Sequence, residues 1–168
     1  MKFQKLTIKN IASIENAEIN FDAEPLSNSG IFLITGKTGS GKSTILDCIC
    51  LALYGITPRL KNTNIQGVTI DLDKEVSVND PRVLMRRNTS ESYVCLTFIG
   101  NDENSYQAEW SCRRANGKID GKLQDKKRCL TNLTKNFTYS KLDEIVPEIK
   151  RIIGLDFEQF LRTVMLSQ

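Results

Sequence analysis

The chain has 168 residues, 40% of them hydrophobic and 26% charged, the composition of one folded domain with a sizeable core and not of a disordered or coiled-coil segment. Its 23 Lys and Arg against 20 Asp and Glu leave a net charge of +3, so any attraction for nucleic acid must come from local clustering. Histidine is absent, which excludes Ser-His-Asp and Cys-His catalysis and His-ligated metal within the chain. The five cysteines form no C-x-x-C pair and no secretory segment precedes them. They are expected to be reduced and mostly buried, as in a cytoplasmic protein, and no apolar run has the length of a membrane span.

From the N-terminus, Phe3, Leu6 and Ile8 alternate with polar residues, and Ala17, Ile19 and Phe21 repeat the pattern; two strands with a polar connection are predicted. Turn-forming residues 24–30 lead into Ile31, Phe32, Leu33 and Ile34, predicted as a strand buried on both faces. Next, Gly36, Lys37, Thr38, Gly39, Ser40, Gly41, Lys42 and Ser43 satisfy the pattern G-x-x-x-x-G-K-S/T at every fixed position. Residues 45–54 follow as an apolar helix with Asp47 as its single charge, and Gly55 and Pro58 stop it. A strand-loop-helix unit over 30–55 results.

That unit implies nucleotide binding. Glycines let the loop curl so that several N–H groups converge on phosphates, and the helix adds the positive end of its dipole. Lys42 is expected to reach the β- and γ-phosphates, Ser43 to place its hydroxyl on Mg2+, and Thr44 to donate to the α-phosphate, making ATP and Mg2+ the expected cofactors. The loop alone does not choose among kinases, small GTPases, motors and ABC-type ATPases.

Residues 56–90 show weak periodicity and are expected to form an irregular excursion. A β-meander is predicted over 91–135, with strands near 93–99, 106–113 and 122–133. Its second hairpin gathers Arg113, Arg114, Lys118, Lys122, Lys126, Lys127 and Arg128. These are candidate DNA contacts, although a run of charge is also what a solvated hairpin carries. A helical segment over 140–168 closes the chain. Leu142, Ile145, Val146, Ile149, Ile152 and Ile153 recur at helical spacing with Pro147 beginning or kinking the helix, and Asp156 caps a last helix whose apolar face is Phe157, Phe160, Leu161 and Val164.

Several stretches in order carry a resemblance to the SbcC family, bacterial DNA-repair ATPases of the SMC-like group: KFQKLTIKNIASIENAEINF, ITGKTGSGKSTILDCICLALYGITPRL, DPRVLMRRNTSESYVCLTFIG, WSCRRANGKIDGKLQ and IIGLDFEQFLRTVMLSQ. The resemblance implies an ABC-type ATPase head split by a long antiparallel coiled coil, with this chain, 1–168, as the N-terminal lobe. The expected fold is α/β, a mixed sheet around the nucleotide loop plus an antiparallel β-subdomain. Leu166, Ser167 and Gln168 resemble the Q-loop, whose glutamine reaches Mg2+ and the attacking water, so Lys42 and Gln168 are the implied catalytic residues. Implied partners are the C-terminal half of the same protein, a second protomer, the SbcD nuclease and double-stranded DNA, acting on the nucleoid in the cytoplasm and not at a membrane. No Walker B strand is found: Val68, Thr69, Ile70 and Asp71 lack the glutamate, and Leu142, Asp143 and Glu144 lack the strand. Where many SMC-like heads have an arginine after the first strand this chain has Ala12, which leaves Ser13 as a nucleotide-contact candidate. An SMC, RecF or RecN-like clamp without a nuclease, or an ABC transporter ATPase, is the alternative.

Overall fold

The computed structural model describes residues 1–27, 29–61 and 76–164. The run at 68–71 and the Q-loop candidate Gln168 lie outside the described residues. Strands β1 (Lys2–Ile11) and β2 (Ile14–Asn20) precede helices α1 (Lys42–Tyr54) and α2 (Pro58–Lys61). Then come β3 (Glu91–Ile99), β4 (Ser105–Arg113), β5 (Lys127–Asn132), β6 (Phe137–Tyr139), α3 (Leu142–Ile153) and α4 (Phe157–Thr163).

The strands form one sheet in the order β2-β1-β3-β4-β5-β6, and every pairing is antiparallel. Because side chains alternate across a strand, register decides the core. Leu6 lies opposite Leu96, Leu96 opposite Ala108, and Ala108 opposite Leu130, and all four are buried. The other face carries Lys5, Lys9, Thr97, Gln107 and Lys127 toward solvent. α1 packs across the core face, with Cys48, Cys50, Leu51 and Leu53 fully enclosed, which is why it is apolar nearly all round. α4 closes the far end of α1, its Phe157 and Phe160 packing against Tyr54 with ring centroids 5.6 and 5.4 Å away.

The α/β lobe is as expected, but its strands are arranged differently. The N-terminal hairpin and the meander share one sheet because β1 pairs with β3, so there is no separate β-subdomain and no parallel pair among the described strands. Residues 31–34 form no strand: Ile31 and Leu33 are 90% and 87% exposed. A strand needs a ladder for its N–H and C=O groups, and no described strand lies beside this segment. Only Phe32 turns inward, against Phe21 at 5.1 Å. Residues 122–126 fall outside β5, where Leu123 makes an isolated bridge to Arg114. β6 adds a short strand beyond the expected meander. The described end of the excursion, residues 76–90, carries a 3-10 turn at Pro81–Leu84 and Met85 bridging Ile11. Pro147 neither starts nor divides α3, since the carbonyl it leaves without a donor lies in the exposed first turn. No helix among the described residues is long and apolar enough to cross a membrane.

Candidate functional site: the phosphate loop

α1 begins without a cap of its own. Gly41 occupies the N-cap in the left-handed region with φ 94°, no side chain caps the first turn, and no acidic residue sits in it. Its first N–H groups, which a helix leaves unbonded, are therefore not served by any local side-chain cap. Gly39 is also left-handed, with φ 82°; alternation of this kind turns successive amides to one side and forms an anion nest. The loop is tight at Gly36, where a Cβ would come within 2.8 Å of the Ser40 hydroxyl. The Ser40 amide closes the turn by donating to the Lys37 carbonyl at 3.2 Å.

Lys42 spans this loop, its Nζ donating to the Gly36 carbonyl at 2.7 Å and the Lys37 carbonyl at 2.9 Å. The ammonium is thus held over the concave side of the loop, where phosphate charge would be met. Ser43 lies on the first turn and is exposed, as are Lys37, Thr38, Gly39 and Ser40, whereas Lys42 is half-buried and Thr44 buried. The donor set suits a polyphosphate: amides, one ammonium and an accessible hydroxyl, with no carboxylate in the first turn to repel it. One turn on, Asp47 is buried against Arg59 at 2.6 Å. Burial raises its carboxyl above the ordinary range while Arg59 draws it down, and the pair fixes α2 to the nucleotide helix.

The turn between β1 and β2 meets the loop. The place of a Cβ on Gly41 lies 3.4 Å from the Ser13 hydroxyl, which puts Ser13 beside the phosphate loop. Nothing in the sequence singles out Arg86 as a site residue, yet it joins them. Its amide donates to the Asn10 carbonyl at 2.9 Å, and the Ala12 amide donates to the Leu84 carbonyl at 2.7 Å. Its Nη1 donates to the Ser13 carbonyl at 2.9 Å. A cavity of about 510 Å³ opens here, lined by Ala12, Val83, Met85, Arg86, Arg87 and Asn88. The paired arginines are the only signal in the sequence, and no pattern ties them to a loop so distant along the chain.

The basic hairpin divides. Lys127 is exposed and lies opposite Ser111, on the face that also carries Arg113. Arg113 donates to Gln124 at 2.9 Å, Arg114 to the Gly121 carbonyl at 3.1 Å, and Lys126 reaches Asp80 at 3.5 Å. Arg128 does not belong with them. It lies opposite Trp110, on the core face, and donates to the Leu53 carbonyl at 2.7 Å. Strand alternation turns it inward, away from any phosphate backbone.

An uncapped helix start behind a glycine loop, on one face of an antiparallel sheet, defines the nucleotide-binding lobe of a P-loop protein. The chain belongs to the AAA domain family, whose match covers residues 5–168. It is 42% identical over 171 residues to the SbcC component of nuclease SbcCD from Pseudomonas aeruginosa and 38% identical over 171 residues to that of Rhodobacter capsulatus, each match covering 100% of this chain and 14% of the relative. It is 30% identical over 113 residues to the DNA double-strand break repair Rad50 ATPase of Archaeoglobus fulgidus, covering 64% of this chain and 12% of that protein. The chain thus spans about one seventh of the length of the SbcCD relatives, 14%, and the matched part is their N-terminal part. The solved structure of the recombination mediator protein RecF with ATP shares the fold, with a TM-score of 0.55 at 17% identity over 86% of this chain and 29% of that one.

Proposed function

We propose that the chain is the ATP-binding N-terminal half of an ATPase head that processes DNA double-strand breaks and controls an associated nuclease. The observation that carries the reading is a formed phosphate loop directly preceded by an apolar segment, Ile31, Leu33 and Ile34, that is exposed and has no strand partner among the described residues. Fully burying an Ile or Leu side chain is worth about 1.5–3 kcal/mol. A partner that adds strands beside residues 31–34 would gain that energy and supply the missing ladder. The C-terminal half of the same protein is that partner in this reading, and it would bring the Walker B carboxylates.

Within the completed head, Gly36 to Thr44 hold the ATP phosphates, with Lys42 neutralising the β- and γ-groups and the Ser43 hydroxyl on Mg2+. Ser13 and the cavity beside Arg86 and Arg87 receive the nucleoside side. Gln168 would contact Mg2+ and orient water, the role that the resemblance implies for it. Two heads close over the nucleotides, and closure is the output that moves the nuclease, SbcD, on duplex DNA at the nucleoid in the cytoplasm. Arg113, Arg114, Lys126 and Lys127 supply phosphate contacts. A clamp ATPase without a nuclease would share this fold; co-purification of a metallophosphatase-type nuclease with the complete protein separates the two.

The test is ATP binding and turnover by this chain, alone and mixed with the C-terminal half, with Lys42→Ala as control. Lys42-dependent binding without turnover, followed by turnover on mixing, is expected. Steady turnover by the isolated chain would falsify the half-site reading.

A further inference from the structure

The far end of the nucleotide helix meets a charge in the core. Ile8 lies opposite Val94, Val94 opposite Trp110 and Trp110 opposite Arg128, so an apolar row across four strands ends in a guanidinium. Its Nη2 donates at 2.7 Å to the carbonyl of Leu53, one of the last carbonyls that a helix leaves unbonded. Its stem and fork lie against Gly55, where a Cβ would come within 2.8 Å of Cδ and 2.9 Å of Nε. α1 has no basic residue in its own last turn, so Arg128 is the cation that meets the negative end of this dipole. Burial pulls its pKa down to about 10, and its Nε has no partner among the described residues. An apolar side chain would complete the row without this desolvation cost.

The neighbouring residue points the other way. Lys127 projects from the solvent face of β5 opposite Ser111, with Lys126 exposed just before it. Consecutive residues of one strand therefore present a cation to solvent and a cation to the nucleotide helix. Any displacement of the backbone at 126–128 moves both. α1 is a rigid rod of 13 residues, with Leu53 near one end and Lys42 and Ser43 at the other, so a tilt at Leu53 reaches the groups that position the phosphates.

We propose that Arg128 is a positioning residue that couples the basic strand end to the phosphate loop, so that a DNA duplex bound at Lys126 and Lys127 alters nucleotide turnover through the Arg128 to Leu53 hydrogen bond. The inference rests on reading the hairpin as a DNA contact. It specifies how that contact is reported to the nucleotide.

The experiment uses the complete protein with its nuclease partner. ATP turnover is measured with and without a linear duplex, and duplex affinity is measured over a salt series, for the wild type, Arg128→Met, Arg128→Lys and Lys126→Ala/Lys127→Ala. The duplex is expected to change wild-type turnover by about fivefold or more, the scale of an ordinary coupling between sites. Arg128→Met keeps duplex affinity and salt slope but loses that change, and Arg128→Lys, which retains one donor, recovers part of it. A role confined to stability would leave the ratio of turnover with and without duplex untouched in the folded variants. A wild-type ratio in Arg128→Met, or a wild type indifferent to duplex, overturns the coupling while leaving DNA binding in place. Unchanged affinity and slope in the double lysine variant instead overturns the DNA reading of the hairpin, and the coupling falls with it. If circular dichroism shows that Arg128→Met does not fold, Arg128→Lys decides: a reduced ratio at unchanged duplex affinity supports the coupling and an unchanged ratio overturns it.

Discussion

Two helix starts in this molecule are built in opposite ways. α4 is closed by a capping box, in which the Asp156 carboxylate accepts from the Gln159 amide at 3.0 Å and the Gln159 side chain accepts from the Asp156 amide at 3.0 Å. α1 starts at Gly41 with no side-chain cap, although it is the longer helix and the more deeply buried. A helix of seven residues with one apolar face gains little from packing and needs its cap, whereas α1 is held by core contacts along its length and can leave its first amides uncommitted. The other end is secured as well, by Gly55 and by Arg128 on the Leu53 carbonyl. Sites for anions arise where a fold can do without the cap.

The contrast breaks most visibly at Lys42. Lys42→Ala removes the ammonium held over Gly36 and Lys37 and is expected to weaken ATP binding by about 10- to 100-fold, the loss of a charge-assisted contact worth roughly 1.5–3 kcal/mol. Stability without nucleotide should change by less than about 0.5 kcal/mol, because the side chain serves no core contact. Titration calorimetry and urea unfolding check the two halves separately; a large loss of stability would show that the loop is a structural element first.

At the secured end, Gly55→Ala puts a methyl into Arg128 at a position with φ 72°. Strain and overpacking together are expected to cost about 1–3 kcal/mol. Arg128→Met, with a more flexible unbranched side chain, should relieve the clash but not the backbone strain. A double-mutant cycle by urea unfolding should therefore show the two substitutions non-additive by at least about 0.5 kcal/mol, and additivity would mean that the guanidinium does not pack on Gly55 in solution.

Asp156→Ala tests the capped start. It should cost about 1 kcal/mol of stability and leave ATP affinity unchanged, the reverse of Lys42→Ala. An effect of Asp156→Ala on ATP affinity would mean that α4 acts on the phosphate loop through Tyr54.

Which parts of this are legible in the sequence follows from how local each signal is. The loop, α1, Gly55 and the Asp156 cap are written within a few residues of themselves and can be read there. β6 is three residues long and too short for a period to show. The segment 31–34 has the composition of a buried strand, but no described strand pairs with it, and composition cannot tell a strand from its unpaired half. Arg128 reads as one more cation of a basic run, because its inward direction depends on register with Trp110, on the neighbouring strand. Arg86 reaches Ser13 only through the pairing of Met85 with Ile11, a contact that no local pattern predicts.

The smallest expected effect concerns a third helix end, the C-terminus of α3. Asn101 holds it by donating from Nδ2 to the Ile153 carbonyl at 2.8 Å, and Asp102 beside it accepts from Tyr106 at 2.8 Å and Arg151 at 3.2 Å. Burial alone would raise the Asp102 carboxyl, but these donors and Asn104 outweigh it and hold it down to about 2, below its ordinary 3.8. A carboxyl whose pKa is depressed on folding adds stability that is fully present above its unfolded value and is lost as pH falls through the folded one. The contribution of Asp102 should thus be complete above about pH 4 and disappear between about pH 4 and 2. Asp102→Asn should lower stability at neutral pH and flatten this acid limb, as measured by thermal unfolding across the range. An acid limb unchanged by the substitution would assign it to other carboxylates. Glu148, held down chiefly by its hydrogen bond to Arg151, would be next, since its stability also falls toward acid through the same guanidinium. Asp102→Asn and Glu148→Gln combined should then flatten the limb by less than the sum of the two, because both carboxylates share Arg151 at 3.2 and 2.8 Å.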